Sequence, residues 1–119
     1  MRVTSEMWVG AYLRRCQAEF VQAVVVRRGD AAAGAIFISV DMMDGNFRLY
    51  GPAPAGLSGS DTDRRWVCCL DGAAVAAPDA KAFLARQITF DFDLWILEVE
   101  DRLGRHFLDD ALVGREARG

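Results

Sequence analysis

Long apolar runs are missing from this 119-residue chain, and none approaches the roughly 20 consecutive residues that a membrane-spanning helix needs. The N-terminal residues MRVTSE carry an early acid at Glu6 and lack the apolar block of a signal peptide. We therefore expect a protein that stays in the cytoplasm and has no membrane partner.

Short catalytic motifs are missing as well. The sequence has no phosphate-binding loop, no dinucleotide-binding G-x-G-x-x-G, no H-E-x-x-H zinc motif and no G-x-S-x-G nucleophile turn. The enzyme classes that these motifs define are excluded. The absence favours a non-enzymatic protein and predicts no cofactor, although a divalent metal ion stays open as an alternative.

Cysteine and histidine are scarce. The three cysteines, Cys16, Cys68 and Cys69, are an odd number and form no C-x-x-C pair, which argues against a disulfide framework and a zinc ribbon. We interpret them as small buried hydrophobes in a reducing compartment. The single histidine, His106, is a candidate general base, but a lone histidine is more often structural.

The net charge of −3 argues against a dedicated nucleic-acid binder. The basic residues are arginines except for Lys81. Several arginines fall on strands that we expect to be neighbours, where they would form a patch for RNA or another anion. The candidates are Arg27, Arg28, Arg48, Arg64 and Arg65. The alternative, which we favour, is solvated strand ends paired with acids.

Apolar residues are abundant, at 52%, which is enough for the core of a single domain covering residues 1–119. Hydrophobic periodicity predicts two helices, and runs with β-strand character predict five strands in the order α-β-β-β-β-α-β. The helices are expected at 7–20 and 78–89, the strands at 21–28, 35–43, 47–50, 64–70 and 94–100, a long loop at 51–63 and a frayed tail at about 109–119.

These elements predict an α+β fold, an antiparallel sheet with both helices packed on one face. The first four strands would form a meander through short connections, including a tight turn at 44–46. The first strand contains three consecutive valines and is apolar on both faces, so we expect it to be central.

The densest set of charged residues lies at 90–106. On the predicted last strand, Glu98 and Glu100 share one face, where they could hold Mg²⁺ or Mn²⁺ with Asp91 or Asp93 closing the site. Metal-dependent nucleases use acid pairs in this manner, but the lysine that many of them place beside the pair is missing. The alternative, which we favour, is a pair of solvated acids that form surface ion pairs with nearby arginines.

Several segments are similar to domain-of-unknown-function family 1491, a family of small alphaproteobacterial proteins. The matching segments are 5–9, 13–16, 23–30, 34–36, 49–54, 65–66, 84–87, 90–95, 98–102 and 104–107. A proline is usual between the two aspartates of FDFDLW; Phe92 stands there in this chain, which removes the basis for a rigid turn. The resemblance implies a free-standing cytoplasmic bacterial protein, and it implies no activity, cofactor or partner.

Three functions follow as hypotheses. The first is a non-enzymatic binding or adaptor protein that engages a protein partner, or a second copy of itself, through a sheet edge or the first helix. The second is a metal-dependent hydrolase or nuclease using Glu98 and Glu100, with Asp91, Asp93 or His106 assisting. The third is a weak binder of RNA or anions through the arginines.

Overall fold

The computed structural model describes residues 3–54 and 64–113. Most of the loop predicted at 51–63 and the last part of the predicted tail therefore lie outside the described residues. Within the described ranges, neither helix is long and apolar enough to cross a membrane.

The described residues form two α-helices and six strands. The helices are α1 (Ser5–Ala18) and α2 (Ala77–Phe90). The strands are β1 (Gln22–Arg27), β2 (Ile36–Asp41), β3 (Asn46–Pro52), β4 (Trp66–Cys68), β5 (Val75–Ala76) and β6 (Trp95–Glu100). The short β5, which precedes α2 and pairs with β3, is the strand that the sequence pattern did not predict.

Local side chains explain where the helices begin. The Thr4 hydroxyl accepts a hydrogen bond from the backbone N–H of Met7, which caps α1. Ser5 is buried, and its hydroxyl is satisfied there because it donates to the Gly34 carbonyl oxygen at 2.6 Å. Pro78 lies in the first turn of α2, where a missing backbone N–H costs no hydrogen bond.

The sheet is mixed, with the strand order β1-β6-β2-β3-β4. The predicted α+β class is confirmed, but the predicted antiparallel meander is wrong because β6 inserts between β1 and β2. β6 runs parallel to β2 and antiparallel to β1. The connection from β1 to β2 permits the insertion, since it is a loop of eight residues, 28–35, rather than a tight hairpin.

The prediction that β1 is central is also wrong. β1 lies at an edge of the sheet, and its three valines, Val24, Val25 and Val26, are 46%, 40% and 59% exposed. β6 and β2 occupy interior positions instead, and Trp95, Ile96 and Leu97 of β6 are all buried. A run of valines fits a pleated surface in either position, so the pattern alone does not separate an edge strand from a central one.

The helices pack on opposite faces of the sheet, which corrects the prediction of one shared face. α1 contributes Val9, Tyr12 and Cys16 to the larger core, which includes Ile38 and Leu97 of the central strands. α2 packs Phe83, Leu84 and Ile88 against a smaller cluster of Phe37, Leu94 and Ile96. Because β2 and β6 are apolar on both faces, each face needs a covering helix.

The C-terminal segment, where we expect a frayed tail, packs against the domain as far as Val113. A 3₁₀ helix forms at Asp109–Ala111, and Leu112 is buried. The backbone N–H of Val113 donates to the Trp66 carbonyl oxygen at 2.7 Å. This segment therefore extends the core beyond β6.

Candidate functional site

Three carboxylates converge on the face of the sheet that α2 covers. In the parallel register of β2 and β6, Ser39 lies opposite Glu98 and Asp41 lies opposite Glu100. Asp41, Glu98 and Glu100 each offer an oxygen, and these oxygens lie within 4.8 Å of one another. Among the residues that the structure describes, this is the group of acids that could hold a metal ion.

The electrostatics of this carboxylate cluster centre on Glu98. Desolvation raises the pKa of Glu98 above its usual range, and the negative charges of Asp41 and Glu100 raise it further. Lys81, on α2, acts in the opposite direction and lowers the pKa of Glu98. Glu98 is therefore the member of the cluster that is costly to ionise unless a cation lies beside it.

The other acids predicted for this site lie elsewhere. Asp91 and Asp93 precede β6, whereas Glu98 and Glu100 lie toward its far end. The Asp91 carboxylate accepts the backbone N–H of Asp93 at 3.0 Å, and the Asp93 carbonyl accepts the backbone N–H of Asp30 at 2.8 Å. Both aspartates therefore make turn and loop contacts.

His106 is also separate from the carboxylate cluster, on the side of the sheet that α1 covers. Its ring lies beside Tyr50, with centroids 5.2 Å apart, and its carbonyl accepts the Tyr12 hydroxyl at 2.7 Å. The ring Nδ1 accepts the backbone N–H of Leu108 at 3.0 Å. The structure does not bring His106 together with Glu98 and Glu100.

Sequence patterns did not indicate that Asp41 or Lys81 would act on Glu98. The two-residue period of β2 does place Asp41 on a common face with Phe37 and Ser39, but only the β2–β6 pairing brings that face beside Glu98. Lys81, on α2, lowers the pKa of Glu98 by its positive charge, so a cation from another element acts on this strand.

The five candidate arginines do not form one patch. Arg27 and Arg28 come from the β1 edge and Arg64 and Arg65 from the β4 edge, with three strands between them. Arg48 pairs with Val40 in the β2–β3 ladder, so its side chain leaves the sheet on the α1 side. The predicted patch required these strands to be neighbours.

Three of these arginines make contacts with nearby parts of the folded chain. Arg27 donates to the Phe92 carbonyl oxygen at 2.7 Å, and Arg28 pairs with Glu6 and stacks over Trp95. Arg64 donates to the Val3 carbonyl oxygen at 3.0 Å and to the Ser5 hydroxyl at 3.3 Å. Arg28 and Arg64 thus reach the N-terminal part of the chain from opposite edges of the sheet.

The thiols have the properties of packing residues. All three cysteines are free, and Cys16 is fully buried in the larger core. Desolvation raises the pKa of Cys16, and it raises the pKa of Cys69 to about 12. A nucleophilic thiol needs a lowered pKa, so neither environment activates its cysteine.

β1 leaves apolar side chains exposed beside an open outer edge. No described strand pairs with that edge. Opposite charges lie at its two ends. Glu19 and Glu100 flank the start of β1, since Gln22 pairs with Glu100, whereas Arg27 and Arg28 lie at its end.

These features define a class of protein: a small α+β domain with a mixed sheet between two helices, a carboxylate cluster on one face and an open apolar edge. The chain belongs to the family described as "Protein of unknown function (DUF1491)", which matches residues 3–109. No curated protein matches the chain.

Solved structures of similar proteins agree with this assignment. The chain is 35% identical to a DUF1491 family protein from Caulobacter crescentus CB15, with a TM-score of 0.77 over 96% of this chain and 100% of that one. An NMR structure of a DUF1491 family protein from Caulobacter crescentus CB15 is 36% identical, with a TM-score of 0.77 over 96% and 99% of the two chains. Protein Atu0922 from A. tumefaciens is 41% identical, with a TM-score of 0.72 over 84% and 86%.

Proposed function

We propose that this chain is a non-enzymatic cytoplasmic binding protein that acts through protein–protein contacts, and that the outer edge of β1 is its contact surface. The observation that carries the proposal is the exposure of Val24, Val25 and Val26 on a strand whose outer edge pairs with no described strand. Such an edge presents unpaired backbone groups beside apolar side chains, and it pairs readily with another strand.

The strand has few of the devices that protect a sheet edge. Gln22–Arg27 contains no proline and no lysine, and its one irregularity is a bulge between Val25 and Arg27. The register with β6 is regular from Gln22 to Val25. This regular stretch is the part that can accept a further strand.

The partner that best fits the edge is a second copy of β1. In an antiparallel pair, the start of one strand lies against the end of the other. Glu19 of each copy would therefore approach Arg27 and Arg28 of the other, and Glu100 would add its negative charge from β6, one strand further in. A two-fold axis perpendicular to the sheet makes this contact self-complementary and keeps both α1 helices on the same face.

The test begins with the oligomeric state of the full chain, measured by sedimentation over a range of concentrations. We expect a monomer–dimer equilibrium, and Val24→Arg shifts it at least tenfold toward monomer. Met43→Arg is the matched control, because Met43 is 48% exposed on the β2–β3 turn, away from the edge. Met7→Arg examines the exposed face of α1, the alternative contact surface.

Charge reversal gives a sharper form of the test. A copy with Arg27→Glu and Arg28→Glu should not self-associate, and neither should a copy with Glu19→Arg and Glu100→Arg. A mixture of the two restores all four attractive contacts and forms a heterodimer. A chain that stays monomeric at millimolar concentration, or a dimer that only Met7→Arg disrupts, would show that β1 is not the contact.

A second candidate function is metal-dependent hydrolysis at the carboxylate cluster. The observation that favours it is the approach of Asp41 to Glu98 and Glu100, with Lys81 acting on Glu98 from α2. Three carboxylates suit Mg²⁺ or Mn²⁺, and a nearby lysine is a feature of many metal-dependent nucleases. Calorimetric titration with each metal tests it, with Glu98→Gln as the variant that should lose the heat. Absence of heat and of a thermal shift at millimolar metal would dismiss this candidate.

A further inference from the structure

Phe20 occupies an unusual position directly after α1. The last turn of the helix closes as a Schellman motif: the Phe20 N–H donates to the Gln17 carbonyl at 3.0 Å, and the Val21 N–H donates to the Cys16 carbonyl at 2.9 Å. This motif puts Phe20 in the left-handed region of backbone conformation, with a φ of 60°. Glycine is the usual residue there, because it has no Cβ atom to clash with the backbone.

Packing within the chain does not compensate the strain at Phe20. The residue is 98% exposed, so its ring makes almost no contact with the rest of the described structure. Phe107, which also has a positive φ of 57°, differs because it packs against the larger core. A strained residue whose aromatic ring is held in solvent at a fixed place in the fold is typical of a contact with another molecule.

The other end of β1 carries a surface that suits an aromatic ring. Phe92 is 80% exposed, and the Arg27 guanidinium lies over its ring, 5.3 Å from the centroid. Arg27 also donates to the Phe92 carbonyl oxygen at 2.7 Å, which fixes the guanidinium against the ring. Because Arg27 is itself partly exposed, its guanidinium can stack a second aromatic ring.

The symmetry of a β1–β1 pair brings these two features together. Within the regular stretch of β1, a two-fold antiparallel pair sets Gln22 of one copy opposite Val25 of the other. Two residues further out, Phe20 of one copy lies opposite Arg27 of the other. The bulge between Val25 and Arg27 changes this register by one residue, which leaves Phe20 within reach of Arg27.

We propose that Phe20 is the anchor of the contact between two copies of this chain, and that it packs against Arg27 and Phe92 of the other copy. The inference rests on the proposed function, since it needs the two β1 edges to pair. The Arg27 guanidinium then lies between two aromatic rings, one from each copy, and Glu19, beside Phe20, adds the opposite charge. The two-fold axis repeats the contact at both ends of the paired strands.

Phe20→Gly tests the inference, because it should have opposite effects on the dimer and on the monomer. Loss of the ring should raise the dissociation constant of the dimer at least about tenfold, measured by sedimentation of the full chain. In dilute solution, where the chain is monomeric, relief of the positive φ should raise the melting temperature by about 2–4 °C. A variant that merely misfolds would melt at a lower temperature.

Met43→Gly is the matched control. Met43 also has a positive φ, of 65°, and is 48% exposed, but it lies on the β2–β3 turn, away from the edge. This substitution should raise the melting temperature in the same way and leave dimerisation unchanged. Phe20→Trp keeps an aromatic ring and should retain most of the affinity.

A double-mutant cycle identifies the residue that Phe20 contacts. Phe92→Ala should also weaken the dimer, and the effects of Phe20→Gly and Phe92→Ala should not add, because each removes one side of the same contact. Additive effects would overturn the contact between the two rings.

The outcomes separate this inference from the proposed function. A dimer that Val24→Arg disrupts but Phe20→Gly does not would leave the pairing of β1 in place and overturn the role of Phe20. Equal weakening by Phe20→Gly and Met43→Gly would overturn that role as well. A chain that stays monomeric at millimolar concentration would overturn both the pairing and the anchor.

Discussion

Two glycines allow the loop between β1 and β2 to lie directly on the backbone before β6. A Cβ atom on Gly29 would stand 2.2 Å from the Asp93 carbonyl oxygen, and one on Gly34 would stand 2.4 Å from the same atom. The Asp30 N–H donates to that oxygen, and the Trp95 indole donates to the Asp30 carbonyl. At the scale of the residue, this contact fixes the entry of β6 into the sheet.

Gly29→Ala should lower the free energy of unfolding by about 3 kcal/mol, because the added methyl group meets backbone that cannot rotate away. Urea denaturation measures the change. Gly45→Ala is the control: Gly45 has a positive φ of 91° with nothing within 4 Å, so it carries backbone strain without a clash. We expect Gly45→Ala to lower the free energy of unfolding by about 1 kcal/mol. Equal losses in the two variants would show that the contact with Asp93 is not the cause.

Glu98→Gln should stabilise the protein at neutral pH, by no more than about 1 kcal/mol because the site is partly solvated. The pKa of Glu98 is raised in the folded state, so its ionisation opposes folding as the pH rises through that pKa. The advantage of glutamine should therefore vanish below the ordinary pKa of glutamic acid, about 4.3. Melting curves from pH 4 to pH 8 are the measurement.

Asp101→Asn should destabilise the protein at neutral pH, whereas Glu98→Gln stabilises it. Hydrogen bonds from the Arg105 side chain lower the pKa of Asp101, so its carboxylate stabilises the fold above its ordinary pKa and loses that effect as the pH falls. At neutral pH the loss should be about 1–2 kcal/mol. The same melting series checks it, and parallel pH profiles for the two variants would contradict the assigned shifts.

At the scale of the element, local sequence patterns were sufficient to predict where the helices lie and which side chains share a face of a strand. The three- and four-residue spacing in α1 and Pro78 at the start of α2 placed all four helix ends to within two residues. The two-residue period of β6 correctly placed Glu98 and Glu100 on one face and Leu97 and Val99 on the other.

The order of the strands could not be obtained in the same way. β2 pairs with β6, which lies more than fifty residues later in the chain. No sequence pattern in or beside either strand indicates this pairing. The position of β1 at an edge and the approach of Asp41 to Glu98 both depend on this pairing. Sequence patterns therefore predicted two of the three acids of the carboxylate cluster, and the non-local register of β2 with β6 added the third, Asp41.

The packing of the C-terminal segment, residues 109–113, against the core can be tested by a single substitution. Leu112→Ala should destabilise the domain by about 2–3 kcal/mol, since Leu112 is buried in the larger core. Leu103→Ala is the matched control, because Leu103 is 77% exposed and should contribute little. Chemical denaturation compares the two. If Leu112→Ala unfolds like the wild type, the segment after β6 is not part of the cooperative core.

At the scale of the whole molecule, the two faces of the sheet are unequal. The α1 side holds the larger core, with Tyr12, Trp66 and the C-terminal segment, whereas the α2 side holds only a small cluster around Phe37. The carboxylate cluster lies on this less apolar side. The α1 side therefore carries most of the buried apolar surface, and the α2 side has room for polar groups.

Self-association should couple to the stability of the whole chain. If two copies pair through β1, the melting temperature should rise with protein concentration, because dimerisation stabilises the folded state by mass action. Val24→Arg should remove the concentration dependence without lowering the limiting value at high dilution. Calorimetric scans over a hundredfold range of concentration measure it, and a constant melting temperature would contradict the pairing.

The position of β6 also governs how the chain folds as it is synthesised. β6 is the last of the described strands, yet it supplies the ladder partner of β1 and one ladder partner of β2. The early strands leave the ribosome before their native neighbour exists, so the nascent sheet cannot close until α2 and β6 have emerged. During this interval the valines of β1 are available to chaperones, or to the same strand on a neighbouring nascent chain.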